Sequence, residues 1–422
     1  MSESQFGRHL QLTSAVDCYN LLLFSQRAIF ITHSMKLKRL LPIYLGAIIG
    51  PMAGVGIITL LPVLCRHFDM SISWISLTVT LYMIPYVVFQ LFSGSIAQVF
   101  DTRRTLLFGF GIYALGSLLS GLSFSLPTLI IARFIQGFGA AFIAPIVLAL
   151  IGEMVDPKHA GRAIGILGIM YTTGVTMGPL ISGVLEVSLG WPWFFFFLSA
   201  FSGSLGVFYW FTSRDDEKLP RGPGKLSDAL SLVRKSLSFP EVRFLSLAAF
   251  SLFLGYIGLM TFVADYLKVV FTLPSDKTGL ILSMTGFFGI LASPIAGLLG
   301  DRRGRFPIAC VGGGIMIIGV LGMAVLDYSF EKYLFLFAIF GAGSATAWTS
   351  LNTLAVEVVP DLRKPVASVY NCFKFGGYAI SPLVLSLLYI PFSIPAVRWA
   401  CIACILISLL FASRIRAGRK KG

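Results

Sequence analysis

The chain has 422 residues, of which 56% are hydrophobic and 12% are charged, and its formal net charge is +14. Soluble globular proteins carry about twice that share of charged residues. The apolar residues here fall into runs of about 20, the length of a bilayer-spanning helix. The sequence therefore predicts an all-α polytopic membrane protein.

The excess of positive charge would also suit a nucleic-acid partner, but its placement favours a membrane topology. With the N-terminus in the cytoplasm, lysine and arginine concentrate in the inner segments. Only five fall on the outer side: Arg66, Lys268, Lys277, Lys332 and Arg398. This is the positive-inside pattern. We expect contact with the lipid bilayer, no nucleic-acid partner, and a multi-pass protein of the cytoplasmic membrane.

The six cysteines and four histidines show no disulfide framework and no metal-ligand spacing. The sequence also lacks a phosphate-binding P-loop pattern and any pairing of a nucleophile with a base. We therefore predict that the protein is not an enzyme, uses no metal or cofactor, and does not take its energy directly from ATP.

Residues 1–34 form a leader of uncertain status. Its apolar stretch is interrupted by Gln26 and Arg27 and is too short to cross a bilayer. Either Met35 is the true start, or the leader lies on the membrane as an interfacial helix. Twelve spans follow, numbered here in chain order: 41–65, 75–98, 105–123, 127–150, 162–186, 191–213, 244–268, 278–300, 307–326, 333–357, 366–390 and 394–413. An even number places both termini on one side, and their basic flanks place that side in the cytoplasm.

The spans divide into two sets of six. Residues 214–243 are charged and rich in glycine and proline, which is typical of a linker. We predict an N-terminal half at 35–213, a C-terminal half at 244–413 and a basic tail at 414–422. Four features recur 203 or 204 residues apart: Gly94 and Gly297, Gly137 and Gly341, Glu153 and Glu357, Gly178-Pro179 and Ser381-Pro382. Parallel repeats of this kind place a substrate cavity between the halves.

The connection between spans 8 and 9 runs from Gly297 to Arg305 and reads Gly-Leu-Leu-Gly-Asp-Arg-Arg-Gly-Arg. It resembles the major facilitator superfamily, whose loop pattern Gly-x-x-x-Asp-Arg-x-Gly-Arg it matches in full. The resemblance implies the fold of that family, twelve helices in two six-helix halves. It also implies that Asp301, with Arg302 and Arg305, helps to lock the cytoplasmic side. The alternative is that these arginines only set the topology.

The connection between spans 2 and 3 is a weaker copy of this motif. It opens with Gly94 but has Gln98 and Val99 where the family has its acid and first arginine, and Asp101 where the family has glycine. Asp101 could substitute for the missing acid, with Arg103 beside it. Two further acids end spans 4 and 10 near cytoplasmic arginines, and we expect them to act in the same gate: Glu153 and Glu357.

Span 5 carries a regular series of small residues and one proline. Small residues let helices approach closely, and a proline kinks a helix. The series resembles the family's antiporter signature, with Ser182 replacing one glycine, and that signature is associated with drug:proton exporters. Ordinary small-residue packing is the alternative. The matching positions are Gly165, Gly174, Gly178, Pro179 and Gly183.

Ionisable residues inside the spans are few, and such residues usually have a function. Arg133 in span 4 lies in a segment that resembles a family motif tied to proton or substrate handling. Asp265 lies near the outer end of span 7, and Lys374 lies in span 11. We expect these three to couple proton and substrate. Alternatively Arg133 and Lys374 snorkel to the interfaces, and Asp265 is merely exposed at its interface.

The cavity between the halves should be apolar and aromatic with a few polar groups. Candidate lining residues are Tyr86, Gln90, Gln136, Tyr171, Tyr256, Trp348, Asn352 and Asn371. Span 1 contains no acid, and the deepest charges are the cations Arg133 and Lys374. Neutral or anionic compounds therefore suit this cavity better than lipophilic cations do.

Together these features predict a secondary active transporter that exports small lipophilic or drug-like compounds by alternating access. Its expected partners are a small-molecule substrate, protons and the bilayer, and the resemblance implies a monomer. The missing deep acid in span 1 leaves open an importer or facilitator of a small metabolite. A non-transporting receptor on the same fold is a further alternative, although the chain offers no large soluble extension.

Overall fold

The computed structural model describes residues 35–154, 160–213 and 226–415, and within these ranges the chain is helical with short connections and no strand. The predicted leader, most of the first half of the linker and the end of the tail lie outside the described residues.

The N-terminal half consists of long helices joined by tight turns. In chain order the helices are Met35–Phe68, the short Ile72–Ile75, Leu77–Phe100, Thr102–Gly121, Leu126–Ala141 with Ala144–Met154, Ala160–Leu189 and Pro192–Thr212. They correspond to spans 1 to 6. Span 4 is predicted as one helix but is two, because the chain makes a turn at Phe142 and Ile143.

The C-terminal half follows the helix Leu226–Ser238, which lies inside the predicted linker. Its helices are Pro240–Val270, Ser275–Arg303, Arg305–Val325, Phe330–Glu357 and Arg363–Ser413. Span 7 begins at Pro240 rather than at residue 244. Proline suits the first position of a helix because it lacks the N–H that would be unpaired there, and Glu241 in the first turn complements the helix dipole.

The last stretch, Arg363–Ser413, contains two spans rather than one. As a straight helix its 51 residues would measure about 76 Å at 1.5 Å per residue, more than twice the hydrocarbon core of a bilayer. Ser393 breaks it with φ 57° and ψ −162°. Residues on both sides of the break pack on span 7: Ser381 Oγ donates to Leu254 O (2.5 Å), and Ser251 Oγ donates to Cys404 O (2.8 Å). The chain therefore turns back at Ser393, between spans 11 and 12.

Ten described helices are long and apolar enough to cross a membrane. Arg363–Ser413 contributes one of these ten although it contains two spans. The helix Thr102–Gly121 is not among them, because it opens with Thr-Arg-Arg-Thr and has a shorter apolar part. It nevertheless packs closely within the N-terminal half, where a Cβ on Gly116 would lie 2.4 Å from the backbone nitrogen of Gln136. The fold thus contains the twelve predicted spans.

Spans 5 and 8 bring the two halves into backbone contact. A Cβ on Gly279 would lie 2.1 Å from Pro179 O, and a Cβ on Gly183 would lie 2.3 Å from Ser275 O. Spans 2 and 11 meet as well, since Thr80 Oγ1 donates to Ala379 O (2.7 Å). The contacts of spans 5 and 8 lie where span 5 ends and span 8 begins, the side that the predicted topology places outside.

On the opposite side the same two spans separate. Gly165 and Gly168 of span 5, and Gly297 of span 8, have no neighbouring atom within 4 Å of a Cβ position. Ile169 and Leu298 are exposed there. The structure is therefore closed on the predicted outer side and open on the predicted cytoplasmic side.

The contact between spans 5 and 8 predicts opposite effects for two glycine substitutions. Gly279→Ala forces a methyl group against Pro179 O and is expected to destabilise the protein by about 1–3 kcal/mol. Gly168→Ala meets no atom and is expected to be neutral or to stabilise its helix by up to about 1 kcal/mol. Thermal unfolding of both variants in detergent measures the difference, and equal melting temperatures would contradict the contact.

Candidate functional site

Arg305 holds a cluster of two acids at the predicted cytoplasmic face. Its Nη2 donates to Asp301 Oδ1 (2.5 Å) and to Glu357 Oε1 (2.8 Å), while its Nη1 donates to Gly297 O (3.1 Å). Gly304, with φ +90°, turns the chain so that Arg305 follows Asp301 closely. Such charge-assisted hydrogen bonds fix geometry as well as adding energy.

This cluster joins spans 8, 9 and 10, which all belong to the C-terminal half. It lies beside a cleft of about 440 Å³ whose lining includes Asp301, Arg305 and Glu357. Arg302, the other predicted gate residue of this loop, is exposed. In this open state the cluster braces one half rather than bridging the two.

The first copy of the motif has a different structure. Asp101 adopts φ 84°, as Gly304 does at the equivalent position of the second copy, although a side chain rarely takes this conformation. Its carboxylate accepts a hydrogen bond from Arg103 N (3.1 Å) and so caps span 3. Arg103 Nε donates to Ser213 Oγ (2.8 Å) at the end of span 6. Gly94 and Glu153 lie in the helices of spans 2 and 4, and the contacts that these two residues make are outside what the structure describes.

The small residues of span 5 face two different neighbours. A Cβ on Gly174 would lie 2.4 Å from Ile48 O, and one on Gly178 would lie 2.5 Å from Met52 O, both in span 1. Pro179 and Gly183 instead contact span 8, and Gly165 is open. The motif therefore seats span 5 between a helix of its own half and a helix of the other half.

Arg133 is fully buried and does not snorkel to an interface. Its Nε donates to Thr78 O (3.1 Å), its Nη2 donates to Ala53 O (3.4 Å), and its Nη1 donates to the side-chain oxygen of Gln136. The guanidinium also lies over the ring of Tyr82, 4.1 Å from its centroid. Backbone carbonyls and an aromatic face thus stabilise this charge, and they tie span 4 to spans 1 and 2.

Asp265 is buried at the closed outer side, with 7% of its surface exposed. Tyr389 of span 11 donates its hydroxyl to Asp265 Oδ2 (2.8 Å). Cys65 and Arg66, at the outer end of span 1, lie within electrostatic range of its carboxylate. The acid therefore lies where spans of both halves meet and is not simply exposed at an interface.

Lys374 is half-buried, and its ammonium nitrogen lies among aromatic rings. The ring centroids of Phe375, Phe253 and Tyr370 are 4.6, 5.5 and 5.7 Å from Nζ. A cation over aromatic faces is attracted by their quadrupoles. This arrangement holds the side chain beside the rings of spans 7 and 11.

The cavity candidates separate into two groups. Tyr86, Tyr256 and Trp348 belong to aromatic contacts around Lys374, since Tyr86 packs on Phe375 (5.1 Å) and Trp348 packs on Phe253 and Tyr256 (5.7 and 5.8 Å).

The remaining candidates lie elsewhere. Gln136 is buried as the partner of Arg133, and Tyr171 donates its hydroxyl to Ala144 O (3.4 Å) within the N-terminal half. Asn371 is half-buried and Asn352 is exposed. Gln90 is half-buried in span 2.

Sequence reasoning missed Phe253, Tyr370, Phe375 and Tyr82. Nothing in the sequence distinguishes the first three from the other aromatic residues of a chain with 37 phenylalanines and 14 tyrosines. Tyr82 could have been found from its position, one helical turn before Tyr86. Among the described residues, no three histidine, cysteine or acidic side chains form a group that could hold a metal.

Comparison with known proteins agrees with the family that the loop motif predicts. A model of the Major Facilitator Superfamily matches residues 43–382 and, in a second match, residues 245–420. The Riboflavin transporter RibZ of Clostridioides difficile (strain 630) is 26% identical over 352 residues, which cover 72% of this chain and 77% of that protein. A Multidrug resistance protein B homolog of Mycobacterium tuberculosis (strain ATCC 25618 / H37Rv) is 26% identical over 342 residues, which cover 67% of this chain and 63% of that protein.

Two solved structures share the fold. A D-xylose-proton symporter superposes with a TM-score of 0.71 at 18% identity, covering 91% of this chain and 99% of that chain. A bacterial homolog of the human lysosomal transporter Spinster, inward-facing and unoccupied, gives a TM-score of 0.70 at 16% identity. The superposition covers 90% of this chain and 96% of that chain. These likenesses confirm the predicted twelve-helix fold, and the family match indicates a transporter rather than an enzyme.

The network around Arg133 predicts a cost for removing its charge. Arg133→Gln removes the donor to the buried side-chain oxygen of Gln136 and the additional charged bonds to the carbonyls of Ala53 and Thr78, and we expect a loss of about 1–3 kcal/mol in stability. Arg303→Gln, at an exposed position, is the matched control. Thermal unfolding in detergent should separate the two variants, and a wild-type melting temperature for Arg133→Gln would show that the network contributes nothing.

Proposed function

The chain belongs to the major facilitator superfamily, and we propose that it is a proton-coupled exporter of small lipophilic compounds. In this proposal it works in the cytoplasmic membrane with both termini inside, an orientation that its lysine and arginine distribution supports. The family resemblance adds the expectation of a monomer. The N-terminal half 35–213 and the C-terminal half 244–413 move against each other, joined by the linker 214–243.

The observation that best supports export is the position of the span 5 motif. Its small residues allow backbone contact with span 1 on one side and span 8 on the other. A helix held in this way lies at the interface about which the halves must move. The same series of residues resembles the signature of drug:proton antiporters, and one relative is named a multidrug resistance protein homolog.

The proposed cycle starts from the state that the structure describes. Substrate enters between the halves from the cytoplasm or the inner leaflet. The cytoplasmic ends of spans 5 and 8 then close, with Gly165 and Gly168 approaching the segment around Gly297, while the outer contacts separate. The cluster of Asp301, Arg305 and Glu357 faces this closing side, where it can engage the N-terminal half.

Asp265 is the proposed proton site. In the closed outer face its carboxylate accepts a hydrogen bond from Tyr389 and lies near Arg66. Opening that face separates span 1 from span 7 and admits water to the carboxylate. Protonation there favours return to the closed outer face, because burying a neutral acid costs less than burying a carboxylate. A proton and a substrate that prefer opposite states drive exchange.

The experiment uses purified protein in liposomes that contain a trapped pH-sensitive dye. A proton gradient is imposed, and neutral, anionic and cationic lipophilic compounds are added in turn, with riboflavin among them because a relative is named a riboflavin transporter. We expect substrate-dependent proton movement that falls to the level of empty liposomes in Asp265→Asn. Asp327→Asn, at an exposed outer position, should behave like the wild type.

Two results would contradict this proposal. Substrate flux without proton movement would make a facilitator the better account. Coupled proton movement that persists in Asp265→Asn would remove Asp265 as the proton site and leave antiport in place.

A further inference from the structure

Lys374 lies deep in the membrane. It follows Arg363, the first residue of its helix, by eleven positions, which corresponds to about 16 Å at 1.5 Å per residue. The hydrocarbon core is about 30 Å thick, so the Cα atom of Lys374 lies well inside the span. A cation at this depth usually faces a partner or a water-filled cavity.

Among the residues that the structure describes, Lys374 has aromatic rings around it but no anion. Three ring centroids lie within 5.7 Å of Nζ. Within the described part of the chain, no oxygen atom accepts a hydrogen bond from Nζ and no carboxylate pairs with it. An ammonium group carries three N–H donors, and all three remain for water or a ligand.

The surroundings of Lys374 extend into an aromatic wall that a ligand can reach. Phe253 stacks on Trp348 (5.7 Å), which in turn contacts Tyr256 (5.8 Å). Phe375 and Trp348, like Lys374 itself, are only partly buried. A positive charge without a counter-ion among the described residues therefore stands beside two partly accessible rings, Phe375 and Trp348, whereas Phe253 and Tyr256 are buried.

A row of rings connects this charge with the buried cation Arg133. Arg133 lies over Tyr82 (4.1 Å), Tyr82 is parallel to Tyr86 (6.4 Å), and Tyr86 meets Phe375 edge to face (5.1 Å). Phe375 in turn lies under Lys374. The row crosses from the N-terminal half to the C-terminal half, so the space beside it carries positive potential from both sides.

We propose that Lys374, Phe253 and Phe375 form the binding site of an anionic aromatic substrate, with its acid group on Nζ and its ring system against the aromatic wall. This proposal rests on the proposed transport function and narrows its substrate class. An aromatic cage often binds a ligand cation, but here the protein's own ammonium occupies that position. A cationic ligand would be repelled, and a neutral ligand would gain the stacking without the charge.

The test measures equilibrium binding to the full chain in nanodiscs of zwitterionic lipid, which excludes competition from anionic headgroups. The probes are 2-naphthoate, 2-naphthamide and 2-naphthylmethylammonium, which share one ring system and differ in charge. We expect the wild type to bind the acid about tenfold more tightly than the amide, the size of a charge-assisted hydrogen bond, and to bind the amine most weakly.

Two variants separate the charge from the rings. Lys374→Gln should abolish the preference for the acid while leaving the affinity for the amide unchanged, and Lys374→Met should do the same. Phe375→Leu should weaken the acid and the amide by a similar factor and keep their ratio. Lys332→Gln, at an exposed outer position, is the control and should match the wild type.

An acid preference that survives both Lys374 variants would overturn the site. So would an equal affinity of the wild type for the three probes. Because binding is measured without a gradient, the outcome does not depend on proton coupling. Selective binding without coupled proton movement would leave the site in place and count against antiport alone.

Discussion

The arrangement of the two halves depends on backbone contact between spans 5 and 8. Inside a membrane the hydrophobic effect does not drive helices together, so close packing and a few hydrogen bonds must hold them. Glycine at positions 183 and 279 lets the two backbones meet. The contact runs from the predicted outer ends of the two helices to their middle, where Gly286 meets Thr176, and it is absent at Gly165, Gly168 and Gly297. The cytoplasmic ends are therefore free to separate, and the cleft that a carrier needs follows from this asymmetry.

The second constraint is that charges within the spans are stabilised without pairing of opposite charges in direct contact. Arg133 is satisfied by carbonyl groups and a ring, Asp265 by a tyrosine hydroxyl, and Lys374 by rings alone. Close ion pairs occur instead at the surface, where Arg305 holds its two acids. Among the described residues, these three charges inside the spans therefore lack a counter-ion in direct contact, while the paired charges of Arg305, Asp301 and Glu357 lie at the predicted cytoplasmic face.

Much of the fold could be predicted because hydropathy and repeat spacing can be read directly from the sequence, without knowledge of which helices pack together. Hydropathy located the twelve spans, and the 203-residue interval related Asp301 to its degenerate copy. The break in span 4 at Phe142 was missed, because hydropathy is the same for a helix and for a turn that is buried by its neighbours.

The candidate site was less predictable because hydropathy does not reveal which neighbours a side chain contacts. Hydropathy reports that a phenylalanine avoids water but not whether it faces lipid or Lys374. A gate role for Glu357 was expected from its position at the end of span 10 near cytoplasmic arginines, but its pairing with Arg305 across 52 residues was not. The contact of Tyr389 with Asp265 likewise depends on how spans 7 and 11 pack. Contacts of this kind are set by tertiary structure, which a single sequence does not encode locally.

The division between glycine contacts and aromatic contacts has an evolutionary consequence. The contact of spans 5 and 8 consists of backbone against backbone, which almost any substitution at Gly183 or Gly279 would disturb. The proposed site around Lys374 consists of aromatic rings on other helices, so one substitution there could alter which molecule fits and leave the contact of spans 5 and 8 intact. Such a carrier can acquire a new cargo in small steps while its machinery stays fixed, and relatives with one architecture can diverge widely in what they move.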